Sequence, residues 1–86
     1  MFDPSLAWSL SPQVSLRAES FGALAYHHVN RRLVFLKSKE LVELVGCLER
    51  FESADVAIDS IVDERDHATY VKALASLAAS EIISVR

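Results

Sequence analysis

The stretch Val14-Ser15-Leu16-Arg17-Ala18-Glu19 alternates apolar and polar residues. In an extended chain this puts Val14, Leu16 and Ala18 on one face and Ser15, Arg17 and Glu19 on the other, the pattern of a half-buried strand. Residues 21 to 37 follow with two short apolar, β-prone runs around the polar centre Asn30-Arg31-Arg32, opened by Gly22 and closed by Lys37-Ser38. That is the pattern of a β-hairpin. Asn30 tolerates positive φ but is followed by Arg rather than Gly, so a loop of roughly three to five residues is expected in place of a tight two-residue turn. Short connections then make a three-stranded antiparallel meander over about residues 13–18, 22–28 and 32–37. The last of these strands, Leu33-Val34-Phe35-Leu36, has no polar residue on either face. Leu33 and Phe35 point one way and Val34 and Leu36 the other, and both faces need cover. One pair can face the domain's own core; the other needs a helix of this chain or a second chain. The pattern leaves open which pair is which.

From Ser38 the periodicity changes to that of helices. Ser38 is a good N-cap and Glu40 suits the first turn, while Leu41, Leu44, Val45 and Leu48 repeat at intervals of three and four, predicting a helix to about residue 51. Gly46 inside it predicts close packing against a neighbour. Ser53 caps a second helix with Val56, Ala57, Ile58, Ile61 and Val62 as its apolar set. Asp63 or Asp66 caps a third, over about residues 67–80, whose apolar positions are Tyr70, Val71, Leu74, Leu77 and Ala78. Ala73, Ala75, Ser76, Ala79 and Ser80 leave that helix thin, which fits either close packing inside the domain or one wall of a shallow groove. Residues 1–12 hold both prolines and the single Trp8, and read as an arm without periodicity, tied to the body by Trp8. Ile82-Ile83-Ser84-Val85 ends the chain as a short strand or a docked tail. The expectation is one domain over 1–86, α+β and winged-helix-like: an arm (1–12), a three-stranded antiparallel β-meander (13–37), three α-helices (38–80) and a tail (81–86).

Composition narrows the functions open to such a domain. At 86 residues and 51% hydrophobic content, a folded core is expected but a deep enclosed active site is not. No apolar run reaches the ~20 residues of a membrane span, and Met1-Phe2-Asp3-Pro4 does not begin a secretory signal. Cys47 is the sole cysteine, so no intrachain disulfide forms, in keeping with a cytoplasmic location. The net charge of −3 disfavours a nucleic-acid partner, and the second and third helices hold only Arg65 and Lys72 as cations where a DNA-reading helix would be basic. Positive charge gathers instead at Arg31, Arg32, Lys37 and Lys39, suited to steering an acidic peptide toward the hairpin.

Candidate chemistry is sparse. His27 and His28 are neighbours on a strand and face opposite sides, so they do not jointly ligate a metal. The acidic residues Asp59, Asp63, Glu64 and Asp66 lack the spacing and the glycine of a calcium loop and read as solvated helix ends. Spacing suggests no nucleophile–base arrangement, phosphate loop or paired-cysteine motif, and Cys47 reads as a packing residue. The expectation is a non-catalytic binding module.

A longer motif is more specific. Arg17, Glu19, Phe21, Gly22, Ala23, Leu24 and Tyr26, followed by Asn30-Arg31-Arg32-Leu33 and Phe35-Leu36-Lys37-Ser38, resemble the family of peptide chaperones of mycofactocin biosynthesis, within the PqqD-like recognition elements for ribosomally made, modified peptides. The resemblance covers nearly the whole chain. Within the motif, Gly22 suits a backbone need and Phe21 and Tyr26 suit a core. The resemblance implies a chaperone without cofactor or metal that binds the leader region of a precursor peptide and presents it to a radical S-adenosylmethionine maturase, which carries the iron–sulfur clusters. It further implies that the peptide adds as a β-strand to the edge of the third meander strand, in a groove completed by the last helix. The residues so implied are Arg31, Arg32, Leu33, Val34, Phe35, Leu36 and Lys37 on the hairpin and Tyr70, Leu74 and Leu77 on the helix. Two other readings of the same fold and edge are a winged-helix DNA-binding domain and a homodimer paired through the edge strand.

Overall fold

The computed structural model describes residues 2–86. It contains β1 (Trp8–Leu10), β2 (Val14–Glu19), β3 (Gly22–His27), β4 (Leu33–Leu36), α1 (Lys39–Cys47), α2 (Ala54–Ile61), α3 (His67–Ala79) and β5 (Ile83–Val85). Strands β2, β3 and β4 form the expected antiparallel meander, in that spatial order, and the three helices follow it. The architecture is α+β and winged-helix-like.

The helix starts follow local chemistry. The Ser38 hydroxyl accepts from the Leu41 N–H at 3.0 Å and the Ser53 hydroxyl from the Val56 N–H at 3.2 Å, each satisfying a first-turn donor that has no partner inside the helix. After Cys47 the chain tightens into a 3₁₀ turn, Leu48–Arg50, and is extended at Phe51. Asp63 caps a separate 3₁₀ turn, Glu64–Asp66, which leads directly into α3.

The core lies between the inner face of the meander and the helices. Leu36, Leu44, Leu48, Ile58, Leu74, Ile82 and Ile83 are fully or almost fully buried there, and complete burial of such a side chain contributes about 1.5–3 kcal/mol. α1 lies against β3 and β4, and the inward positions of β3 are Ala23, Ala25 and, at the strand's end, His27, all buried. The small residues at 23 and 25 let the helix approach the sheet, and the large apolar residues of this strand, Leu24 and Tyr26, stand on the opposite, outer face.

Three sequence expectations are corrected. Residues 8–10 are not an irregular arm: they pair antiparallel with β5, Trp8 with Val85 and Leu10 with Ile83, so the two ends of the chain close one small sheet. Arg86 reinforces this closure, donating to the carbonyl of Glu49 at 2.6 Å and to that of Phe51. Gly46 is exposed, and a Cβ there would meet open space, so close packing does not explain it. Val56, assigned to an apolar set, is exposed, because α2 turns Ala54, Ala57 and Ile58 inward instead.

Candidate functional site

The β3–β4 connection is the five-residue loop 28–32. The positive φ falls on Arg31, at 64°, and not on Asn30. Asn30 works through its side chain instead, accepting from the Arg32 N–H at 2.9 Å and donating to Glu81 Oε2 at 3.1 Å. Buried His27 supports the turn from below, its Nδ1 accepting from the N–H groups of Val29 and Asn30 at 3.2 Å. His28 lies on the surface, bonded through Nε2 to the Ser15 hydroxyl at 2.7 Å. The two histidines therefore do unrelated structural work.

β4 is an edge strand, paired on one side only. Which of its backbone groups are free follows from the ladder. Opposed residues in an antiparallel pair alternate between bonded and non-bonded pairs. The His27 N–H donates to the Arg32 carbonyl at 2.9 Å, which makes that pair a bonded one. On the printed register Ala25 faces Val34 and Ala23 faces Leu36, so Val34 and Leu36 spend their N–H and C=O groups on β3. Leu33 and Phe35 therefore aim theirs outward, along the open edge. The other side of β3 agrees in phase: the His28 N–H donates to the Gln13 carbonyl at 2.8 Å, so residues 24, 26 and 28 serve β2.

Side chains follow the same parity. Leu33 and Phe35 are 54% and 53% exposed, whereas Leu36 is fully buried and Val34 half-buried against the core. The question left open by the pattern is thus answered: Val34 and Leu36 face inward and Leu33 and Phe35 outward. The second free edge, β2, carries Ser15, Arg17 and Glu19 on its outer face, with an Arg17–Glu19 ion pair at 2.9 Å. Charged residues on an edge strand discourage pairing. β4 has none within the strand.

Two hydrogen bonds bracket α3 alongside this edge. The Tyr70 hydroxyl lies 3.1 Å from the Ser38 hydroxyl, just past the end of β4, and Glu81, just past the end of α3, receives Asn30 from the loop that precedes β4. The helix therefore runs antiparallel to β4. Of the helix residues assigned to the site, Tyr70 is half-buried, but Leu74 and Leu77 are buried. Their side chains are core and not open to a ligand, and the same holds for Leu36. Arg31, Arg32 and Lys37 are exposed around the two ends of β4.

The outer face of the meander holds residues that sequence reasoning did not assign to the site. Across the three strands the rows are Ser15–Tyr26–Leu33 and Arg17–Leu24–Phe35. One step further, Gly22 has no side chain to set beside Lys37, and Phe21, 43% exposed, packs edge-on against Phe35 with ring centroids 5.9 Å apart. Phe21, Phe35 and Lys37 line an open cleft of about 380 Å³. Phe21 is thus a surface residue and not the core residue its place in the motif suggested. For Leu24 and Tyr26 the available signal was the alternation of small and large residues along β3; Phe21 lies before the strand, on the parity of Ala23 and Ala25, and that alternation does not mark it as exposed.

Among the described residues no group of three or more His, Cys, Asp and Glu side chains is placed to hold a metal, and no helix is long and apolar enough to cross a membrane. His67 joins α3 to α2, its Nε2 lying 3.4 Å from Asp55 and 3.5 Å from Asp59.

The sequence model of a family described as the peptide chaperone MftB family matches residues 7–84. The chain is 40% identical over 83 residues to the peptide chaperone MftB of Mycobacterium ulcerans, covering 95% of this chain and 76% of that one. It is 40% identical over 86 residues to the protein of that name from Mycobacterium tuberculosis, covering 99% and 79%. No solved structure matches the chain.

Proposed function

The chain belongs to the peptide chaperone MftB family, and on that premise we propose that it binds the precursor peptide of mycofactocin biosynthesis as an added strand on β4 and presents it to the radical S-adenosylmethionine maturase. The family is named for a chaperone and not for an enzyme. The observation that carries the reading is the open β4 edge, where Leu33 and Phe35 hold free backbone donors and acceptors in a strand with no charged residue. Backbone pairing supplies affinity in strand addition, and side-chain pockets supply selectivity. α3 stands beside the edge, with Tyr70 and Val34 as the half-buried side chains available to one face of the added strand. Arg31, Arg32 and Lys37, at the ends of β4, suit acidic residues of the leader region and speed encounter with it.

The test is isothermal titration with the precursor peptide encoded beside this protein, with duplex DNA in low salt as the control. The expected result is micromolar or tighter binding to the peptide and none to DNA. Silence with the peptide removes the proposal, and pairing of β4 with a second copy becomes the leading account of the edge.

A further inference from the structure

The outer face of the meander is apolar at its centre and basic at its rim. Leu24, Tyr26, Leu33, Phe35 and Phe21 make the centre, and Lys37 and Arg17 stand at opposite margins, Arg17 in an ion pair with Glu19 on the same face. Residues 13–38 carry four basic side chains, Arg17, Arg31, Arg32 and Lys37, against one acidic, Glu19, while the rest of the chain carries five basic and eleven acidic. The cations of an acidic protein are therefore concentrated on the module that holds this face.

Strand addition does not cover the face. An added strand extends a sheet sideways, and its side chains alternate between the two surfaces. Half of them turn toward α3 and the core side. The other half join the row of Leu33 and Phe35, so a bound peptide enlarges the apolar outer face. A surface left open by the peptide, adjoining it, and carrying side chains of both molecules is suited to a receiver that must recognise the loaded chaperone.

Resting on the strand-addition reading, we infer that the outer face of the β2–β3–β4 sheet is the docking surface for the maturase, which meets it with an acidic surface bearing an apolar side chain that enters the Phe21–Phe35–Lys37 cleft. Charge complementarity selects this occupant. A second copy docked face to face would bring the basic margin of one copy against that of the other, and like charges in apposition oppose association. Nucleic acid stacks on flat aromatic platforms, whereas Phe21 and Phe35 meet at an interplanar angle of 80° and Leu24 and Leu33 fill the positions beside them.

The experiment uses Phe21→Ser and Arg17→Glu, both outside β4. Each variant is titrated with the precursor peptide, and its peptide-saturated form is then assayed for binding to immobilised maturase by biolayer interferometry. The expected result is peptide affinity within twofold of the parent in both variants, with maturase affinity reduced at least tenfold in each. Wild-type maturase binding should also weaken as salt rises. Unchanged maturase affinity in both variants overturns the inference, as does failure of the peptide-saturated wild type to bind maturase. It is likewise overturned if the wild type dimerises in sedimentation, or binds single-stranded DNA, and the two variants lose that association while keeping their affinity for the maturase. Circular dichroism monitors the fold; Arg17→Glu decides the matter should Phe21→Ser unfold. Failure of the strand-addition reading is separately visible, as loss of the peptide titration itself or its indifference to the β4 backbone.

Discussion

Proline at position 35 separates the backbone contribution of β4 from that of its side chains. The Phe35 N–H points away from β3, so its removal takes nothing from the ladder, and Val34, which precedes it, is already in the extended conformation that proline imposes on its neighbour. Phe35→Pro should therefore fold. For peptide binding the change removes one donor and puts the ring Cδ where the peptide carbonyl would approach, leaving that acceptor unpaired. A buried acceptor left without a partner costs about 1–3 kcal/mol. Phe35→Ala, which deletes the aromatic ring but keeps the N–H, is the reference. Relative to it, Phe35→Pro should raise Kd roughly 5- to 140-fold, at 1.4 kcal/mol for each tenfold. The assay is isothermal titration with the precursor peptide, accompanied by far-ultraviolet circular dichroism. Val34→Pro completes the comparison, since its N–H belongs to the β3 ladder opposite Ala25, and this variant should lose folded structure. Equal peptide affinity of Phe35→Pro and Phe35→Ala, with normal circular dichroism, refutes pairing on this edge. Unfolding of Phe35→Pro with tolerance of Val34→Pro refutes the parity.

Other expectations follow from the same geometry. Gly22 holds φ at 148°, and a Cβ there would collide with the Leu36 carbonyl, so Gly22→Ala should cost about 2 kcal/mol or more. That corresponds to a fall of roughly 8–16 °C in Tm by thermal melting, and a change below 2 °C would contradict it. Leu36→Glu buries a charge at a fully enclosed position and should destabilise by about 4 kcal/mol in urea titration, whereas Phe35→Glu, on the exposed side of the same strand, should leave the midpoint nearly unchanged while weakening peptide binding. The Asp3 carboxyl is held below the usual carboxylate range, chiefly by the Ser5 hydroxyl and then by the Ser5 N–H. A depressed folded value means that the turn is supported above the ordinary carboxylate range and released as pH falls through the lowered one. The Ser5 amide resonance should therefore titrate below pH 3.8, the ordinary value for this group, and titration above it would overturn the assignment.

Much of the fold was legible because its causes are local. The period-2 alternation of residues 14–19 is a property of the extended chain itself, and each serine cap closes on an N–H three residues away, so β2 and the starts of α1 and α2 are written in adjacent residues. The hairpin was legible for the same reason, and the family resemblance rests on the contiguous motif spanning Arg17 to Tyr26, which is independent of any tertiary contact. The site was legible only as a strand. Leu33-Val34-Phe35-Leu36 is apolar on both faces, so its inward side was decided by α1 lying against a sheet whose β3 offers Ala23 and Ala25 at the interface. Leu74 and Leu77 share the helical spacing of Tyr70, yet tertiary packing buries the two leucines and leaves Tyr70 half-exposed beside Ser38. The pairing of Trp8–Leu10 with Ile83–Val85 was the least legible, because three-residue strands carry almost no pattern and their partner lies at the far end of the chain. Local hydrogen bonds and side-chain periods are properties of sequence neighbours; which face is buried depends on residues that only the fold brings together.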